Sequence, residues 1–267
     1  MTPPLQDWLA TNDAPRLQPF LRAEWRYLAL LNYEIDPAEL ASKVPFGTEL
    51  DSWQGRTLLS LVGFQFLRTR VLGLRIPFHS DFDEVNLRFY VRRRVNGSWR
   101  RAVVFIREIV PRRAIALIAR LCYNEPYVTR PMRHQVDMAG AESGTPGTVR
   151  YQWKADGDEW LGLTARTAGA PLAVADGTEE EYITEHYWGY TAQRDGGCME
   201  YQVTHPRWRV WQTAAAALEG DVPSTYGEAC AEALRGKLQS AFVAVGSPVT
   251  VYRGCRVGDG APGRNRG

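Results

Sequence analysis

Lysine is nearly absent from this sequence. It occurs only at Lys43, Lys154 and Lys237, so that 29 of the 32 basic residues are arginine. Arginine holds anions in a planar fork but keeps its proton and is a poor nucleophile, so chemistry that needs a neutral amine has few places to reside. Cysteine is scarce as well: Cys122, Cys198, Cys230 and Cys255 show no C-x-x-C spacing and no nearby histidine. That spacing speaks against a disulfide framework and a thiolate metal site. The four histidines, His79, His134, His186 and His205, are isolated, without the spacing of a zinc motif, and no metal or cofactor is expected. Long apolar runs are missing too. The stretch AIALIARLCY is interrupted by Arg120 and falls short of the roughly 18 residues needed to span a bilayer.

Charge of one sign is also lacking. A net charge of +2 sets up no strong field for nucleic acid or anionic lipid, and neither partner is expected. The opening stretch MTPPLQDWLATNDAP has no basic segment followed by an apolar core, as a signal peptide would. With the unpaired cysteines this points to the cytoplasm. No P-loop, dinucleotide fingerprint or G-x-S-x-G elbow is present.

What is present is a globular, aromatic-rich composition: 45% hydrophobic residues with nine Trp, nine Phe and twelve Tyr, enough for a large core. Asp36-Pro37-Ala38-Glu39 carries the signature of a helix start, with the helix ending before Pro45. RTLLSLVGFQFLRTR, residues 56–70, has the content of a strand, and Gly63 inside it marks a bulge or a close backbone approach. The segments DEVNLRFYVRRRV and SWRRAVVFIREIV flank Asn96-Gly97, a strong hairpin signal.

A two-residue turn there sets Val95 opposite Ser98 and Asn86 opposite Arg107. One face then carries Glu84, Asn86, Arg88, Tyr90, Val103, Phe105 and Arg107. The other carries Val85, Leu87, Phe89, Val91, Ala102, Val104 and Ile106 and is a core face. The same register sets Arg92 against Arg101 and Arg93 against Arg100, a repulsion that a bulge would relieve by moving the register. After Pro111, RRAIALIARLCY suits a helix or a strand.

Residues 139–147, AGAESGTPG, form the one candidate internal boundary. Strands are expected near 150–153, 161–166 and 199–212. Helices are expected from the pairs Thr178/Glu181 and Thr225/Glu228, with Gly236 as a C-cap. The chain reads as one domain over 1–255 with a mobile tail over 256–267.

The candidate site is the polar stripe Glu84, Asn86, Arg88 and Arg107, followed by Arg112 and Arg113. It is either the wet face of an antiparallel sheet or the lining of a cavity. A weaker alternative takes the hairpin-tip arginines 92, 93, 94, 100 and 101 as a patch for nucleic acid or an acidic partner.

The runs GRTLLSLVGFQFLRTRVLG, DFDEVNLRFYVRRR, VVFIREIVPRRAIALIAR and YNEPY resemble an uncharacterised bacterial family (YqjF-like, a domain of unknown function) of the acetoacetate-decarboxylase-like superfamily. The resemblance covers residues 23–132 well and the rest in outline. It implies an α+β, mostly β fold, in which a curved antiparallel sheet closes into a cone or barrel around an internal cavity, with a few short helices. Phe82-Asp83-Glu84 looks like the decarboxylase motif that brings a carboxylate to that cavity. Arg107-Glu108-Ile109-Val110-Pro111-Arg112-Arg113 looks like the motif that ends in the Schiff-base lysine and its neighbour.

Here arginines stand at 112 and 113, which argues against imine chemistry unless Lys43 or Lys154 approaches in space. The combined expectation is a pocket for a small anionic, carboxylate- or enolate-bearing ligand. Glu84, Asn86, Arg107, Arg112 and Arg113 would bind it, and Glu84 is the candidate acid or base. A non-catalytic interaction module is the alternative.

Overall fold

The computed structural model describes residues 18–112, 124–155, 157–220 and 226–257. Its frame is a set of long strands rich in β-branched and aromatic residues, which suit a pleated, half-buried surface. These are β1 (Pro19–Glu34), β3 (Leu58–Val71), β4 (Phe82–Val95), β5 (Ser98–Val110) and β13 (Leu238–Tyr252), with β2 (Glu49–Leu50) a short edge on β4. Leu28–Tyr33 of β1 is buried on both faces, so it reads as an apolar run broken only by Asn32 rather than as an alternation.

Further along the chain come β6 (Tyr127–Thr129), β7 (Met132–Asp137), β8 (Thr148–Lys154), β9 (Trp160–Ala173), β10 (Trp188–Ala192), β11 (Cys198–Thr204), β12 (Arg209–Glu219) and β14 (Cys255–Arg256). The strands β11-β10-β5-β4-β3-β1-β13 follow one another by hydrogen bonding, and pairing of β13 back onto β11 completes a ring. The ring is irregular, closed by just two residue pairs at Val203↔Val251 and Thr204↔Thr250. The expected closed β fold is present, although it is not a regular barrel.

From β13 the sheet continues through β12, β9, β8 and β7 as a wing. One core lies where the wing meets the outward residues of the ring, uniting Tyr151, Trp153 and Leu163 with Leu61, Leu87 and Phe89. A second cluster, including Phe64, Phe82, Tyr90 and Trp208, lies on the opposite face of these strands. Three short α-helices, α1 (Pro37–Leu40), α2 (Glu179–Thr184) and α3 (Glu228–Arg235), and two 3-10 turns, Ala41–Lys43 and Ala141–Ser143, complete the described chain.

Local signals fare well where they rest on caps and turns. Asp36 caps α1 by accepting from the Ala38 amide at 2.9 Å. Thr178 caps α2 by accepting from the Glu181 amide at 3.3 Å, while the Glu181 carboxylate reaches the Gly177 amide instead of that of Thr178. Helix α3 departs from expectation: its N-cap is Gly227, so Glu228 is its first residue, and Thr225 lies outside the described residues. Gly236 does end it.

The single strand expected over 199–212 is two strands. β11 stops at Thr204 and β12 starts at Arg209, with Pro206, which has no amide hydrogen to donate, between them. Both then pair with one edge of β13, β12 at Val210↔Ala244 and β11 at Val203↔Val251. The loop over 139–147 is not a bare linker, since Ala141 is buried and its carbonyl accepts from Trp211 Nε1 at 3.0 Å. Residues 113–123 and 258–267 lie outside the described residues, and Arg256 pairs with Met199. No helix among the described residues is long and apolar enough to cross a membrane.

Candidate functional site

The β4–β5 hairpin positions the site. From the Asn96-Gly97 turn, the expected register runs unbroken from Val95↔Ser98 to Arg88↔Phe105. There it slips by one residue. Leu87 pairs with Arg107 and Asn86 with Glu108, because Ile106 is an extra residue in β5. The slip corrects the site expected from the sequence. With a side-chain period of two, one inserted residue exchanges the faces of everything beyond it. Glu108 takes the place beside Glu84 and Asn86, and Arg107 turns toward the outward core near the Tyr226 phenol.

The arginines facing each other at the tip are present as expected, and acids offset their repulsion. Arg93 and Arg100 share Glu200 at 3.0 and 2.8 Å, Arg101 meets Asp51 at 3.0 Å, and Arg92 pairs with Glu49.

Inside the ring lies a cavity of about 140 Å³ with mostly apolar walls, among them Trp25, Phe64, Phe66, Phe105 and Trp208. The Glu84 face therefore lines a cavity rather than facing bulk water. Glu84, Asn86, Arg88, Glu108, Glu125 and Tyr127 are its polar lining on the β4–β6 side. At one end α2 contributes Ile183 and Thr184, and Tyr182 packs edge-on against Tyr90 at 5.2 Å. Residues Phe20, Leu21, Val71 and Val251 lie toward the other end of the strands.

Three glutamates meet here. Glu84 accepts from Asn86 Nδ2 at 3.0 Å and from the Tyr127 hydroxyl at 3.0 Å. Glu125 accepts from the Thr191 hydroxyl at 2.5 Å. Glu108 pairs with Asn86 on one side and with Tyr127 of β6 on the other. Burial pushes Glu84 and Glu125 up to about 7, and it pushes Glu108 well above the carboxylate range, with the charges of Glu125 and Glu84 adding to the effect. Desolvation is the largest cause for each of the three, and the charge of Arg88 opposes it only weakly at Glu84. The cluster therefore holds protons near neutral pH.

Arg88 faces the same cavity from the position two residues beyond Asn86. Its Nη2 donates to the Ile183 carbonyl at 3.3 Å, its guanidinium stands 5.7 Å from the Tyr90 ring centre, and its Nε is buried without a partner. No carboxylate among the described residues forms an ion pair with it. Two buried histidines share this wall. Burial holds His186 well below its usual range and His205 down to about 4, so both are neutral at pH 7.

Of the residues singled out from the sequence, Glu84, Asn86 and Arg88 line the cavity, whereas Arg107 and Arg112 do not. Arg112 lies instead where its charge acts on Asp83, whose carboxylate meets His134 at 2.9 Å. Arg113 is outside the described residues. No lysine is among the described residues lining the cavity. Lys154 pairs with Asp158 at 2.6 Å and faces Trp160, and Lys43 is exposed beside α1. Sequence reasoning placed Arg88 in the candidate stripe on the right face but assigned ligand binding to Arg107, Arg112 and Arg113 instead. It missed Glu108, Glu125 and Tyr127, all three within the runs REIVPRR and YNEPY.

A family model described as an uncharacterized conserved protein matches residues 22–247. The uncharacterized protein YqjF of Bacillus subtilis (strain 168) is 25% identical over 209 residues, spanning 78% of this chain and 81% of that protein. Acetoacetate decarboxylase from Legionella pneumophila matches with a TM-score of 0.64 at 16% identity, over 96% of each chain. The enduracididine biosynthesis enzyme MppR with HEPES bound gives a TM-score of 0.64 at 12% identity, over 94% of this chain and 92% of its own. An acetoacetate decarboxylase-like enzyme from Sphingomonas wittichii RW1 gives 0.63 at 13%, over 93% and 98%. At these identities the structural likeness establishes the fold.

Proposed function

The chain belongs to the DUF2071 family of uncharacterized conserved proteins and has an acetoacetate-decarboxylase-like fold, and from that premise we propose that it binds a small carboxylate- or enolate-bearing molecule in its cavity. The observation that carries this reading is Arg88, a cation on an apolar cavity wall with no carboxylate partner among the described residues. A half-buried guanidinium that forms no ion pair among the described residues is stabilised by an anion placed against it, through charge-assisted hydrogen bonds. Among the described arginines singled out from the sequence, the reading thus rests on Arg88 in place of Arg107 and Arg112.

Glu84 supports a second, catalytic reading. A carboxyl that titrates at about 7 is matched to general acid–base work near neutral pH, and it stands on the same strand face as Arg88. Lyase-like proton transfer without a Schiff base fits a wall that carries carboxyls and one guanidinium but no lysine.

Titration calorimetry with butyrate and acetoacetate tests the proposal. Arg88→Met is expected to weaken binding by about tenfold or more while the protein keeps its fold. Equal affinity in the variant and the parent would sink the proposal. Borohydride treatment in the presence of acetoacetate is expected to leave the protein mass unchanged, and a trapped lysine adduct would restore imine chemistry.

A further inference from the structure

A second set of atoms lines the same cavity and has no part in holding an anion. Asn86 Oδ1, Glu108 Oε2 and Glu125 Oε2 are buried oxygens with no hydrogen-bond partner, on residues only 3%, 3% and 6% exposed, although the Tyr127 and Tyr201 hydroxyls act on the Glu108 and Glu125 carboxyls. The Asn86 amide nitrogen is committed to Glu84, which fixes its oxygen as an acceptor. A proton shared within the Glu108–Glu125 pair satisfies one lone pair and leaves others open. Buried acceptors are hydrogen-bonded in nearly all folded proteins, so three orphans on one cavity wall point to a donor that arrives from outside the chain.

Charge leads to the same place. Ionising one carboxyl of the cluster beside Arg88 makes the cavity neutral overall, with a negative and a positive pole. Resting on the carboxylate reading, we infer that the ligand is dipolar: a short acid carrying a protonated nitrogen at its far end. The Asn86, Glu108 and Glu125 oxygens receive that nitrogen while Arg88 holds the carboxylate.

The ladder sets the length. Glu108 lies opposite Asn86, and Arg88 is two residues further along β4, so the two poles are separated by roughly 7 Å along the strand before the side chains reach inward. That spacing selects an ω-amino acid over an α-amino acid, whose two charges are adjacent. The volume agrees, since a cavity of about 140 Å³ accommodates a chain of a few carbons and little more.

The test compares two series by titration calorimetry at pH 7. One series is the straight-chain ω-amino acids from β-alanine to 6-aminohexanoate, and the other is the matched carboxylates from propionate to hexanoate. At one chain length the amino acid is expected to bind about tenfold tighter than its matched carboxylate or better. Its binding enthalpy is expected to vary with buffer, because the arriving cation expels a proton from the glutamate cluster. The double variant Glu108→Gln/Glu125→Gln is expected to bring the affinity ratio close to one. Equal affinities in the two series at every length overturn the inference and leave the carboxylate pocket standing. Should neither series bind, the carboxylate reading falls with it. The comparison on the parent protein decides the question even where the double variant does not fold.

Discussion

A glutamate held by an amide and a phenol rather than by a cation titrates where desolvation puts it, and Glu84 is such a group. Its pKa rises from 4.5 to about 7 on folding, so between those values the folded state binds the more protons. Stability therefore falls as pH rises from about 4.5 to about 7 and levels off above, by on the order of 3 kcal/mol for this residue. His186 and His205 act in the opposite sense. Their folded pKa values lie below 6.5, so stability falls as pH drops through that range. The difference between the parent and Glu84→Gln isolates the carboxyl. Chemical denaturation of both proteins across pH 4–8 is expected to show the variant gaining relative stability as pH rises. A difference that does not change with pH would mean that Glu84 is ionised throughout, held by Arg88 as a structural pair.

At the scale of the element, one inserted residue decides what the site contains. Hairpin, turn and core face were all legible, because Asn96-Gly97 and the alternation of Val85, Leu87 and Phe89 are local signals. The extra residue at Ile106 was not. A bulge leaves no mark in hydrophobic alternation when both faces of a strand are buried, as they are here for Val103 and Val104. The error was thus confined to residues beyond Phe105, which is why Arg88 stays on the cavity face and Arg107 does not.

Gly63 shows a signal that the sequence did carry. A Cβ there would lie 2.7 Å from the Tyr151 ring and 3.1 Å from Leu163, where β8 and β9 press on β3. Gly63→Ala is expected to cost about 1–3 kcal/mol through overpacking, which lowers Tm by roughly 2–4 °C per kcal/mol in a protein of this size. Combining it with Tyr151→Ala, which removes the ring it strikes, should cost clearly less than the sum of the two single changes. Strict additivity in thermal melts would show that the close approach is not what requires glycine.

Across the whole molecule, the ring is strong on one side and thin on the other, and that asymmetry was beyond any reading of local pattern. β1 runs along β3 and β13 over nearly its full length, whereas the β10–β11 hairpin is attached by three short seams. One is the parallel contact Trp188↔Ala102 and Gly189↔Val103, the second is Val203↔Val251 and Thr204↔Thr250, and the third is Met199↔Arg256 and Glu200↔Cys255 with the short β14. Strands so far apart in sequence, with so few pairs between them, leave no periodicity to detect.

Local opening takes the route that breaks the fewest buried contacts, so this hairpin is the part of the wall expected to part first. It also carries Trp188, Tyr201 and Val203 to the cavity, and Thr191 to Glu125. Amide exchange in β10 and β11 is therefore expected to be faster than in β1, β3 and β13, and to slow selectively when a ligand fills the cavity. The size of that slowing follows from linkage: at a ligand concentration 100 times Kd, a site lost on opening adds about 2.7 kcal/mol to the opening free energy, close to a hundredfold in rate. Exchange that is uniform around the ring, or a ligand that slows β1 and β3 as much as β10 and β11, would mean that the ring opens only by unfolding as a whole.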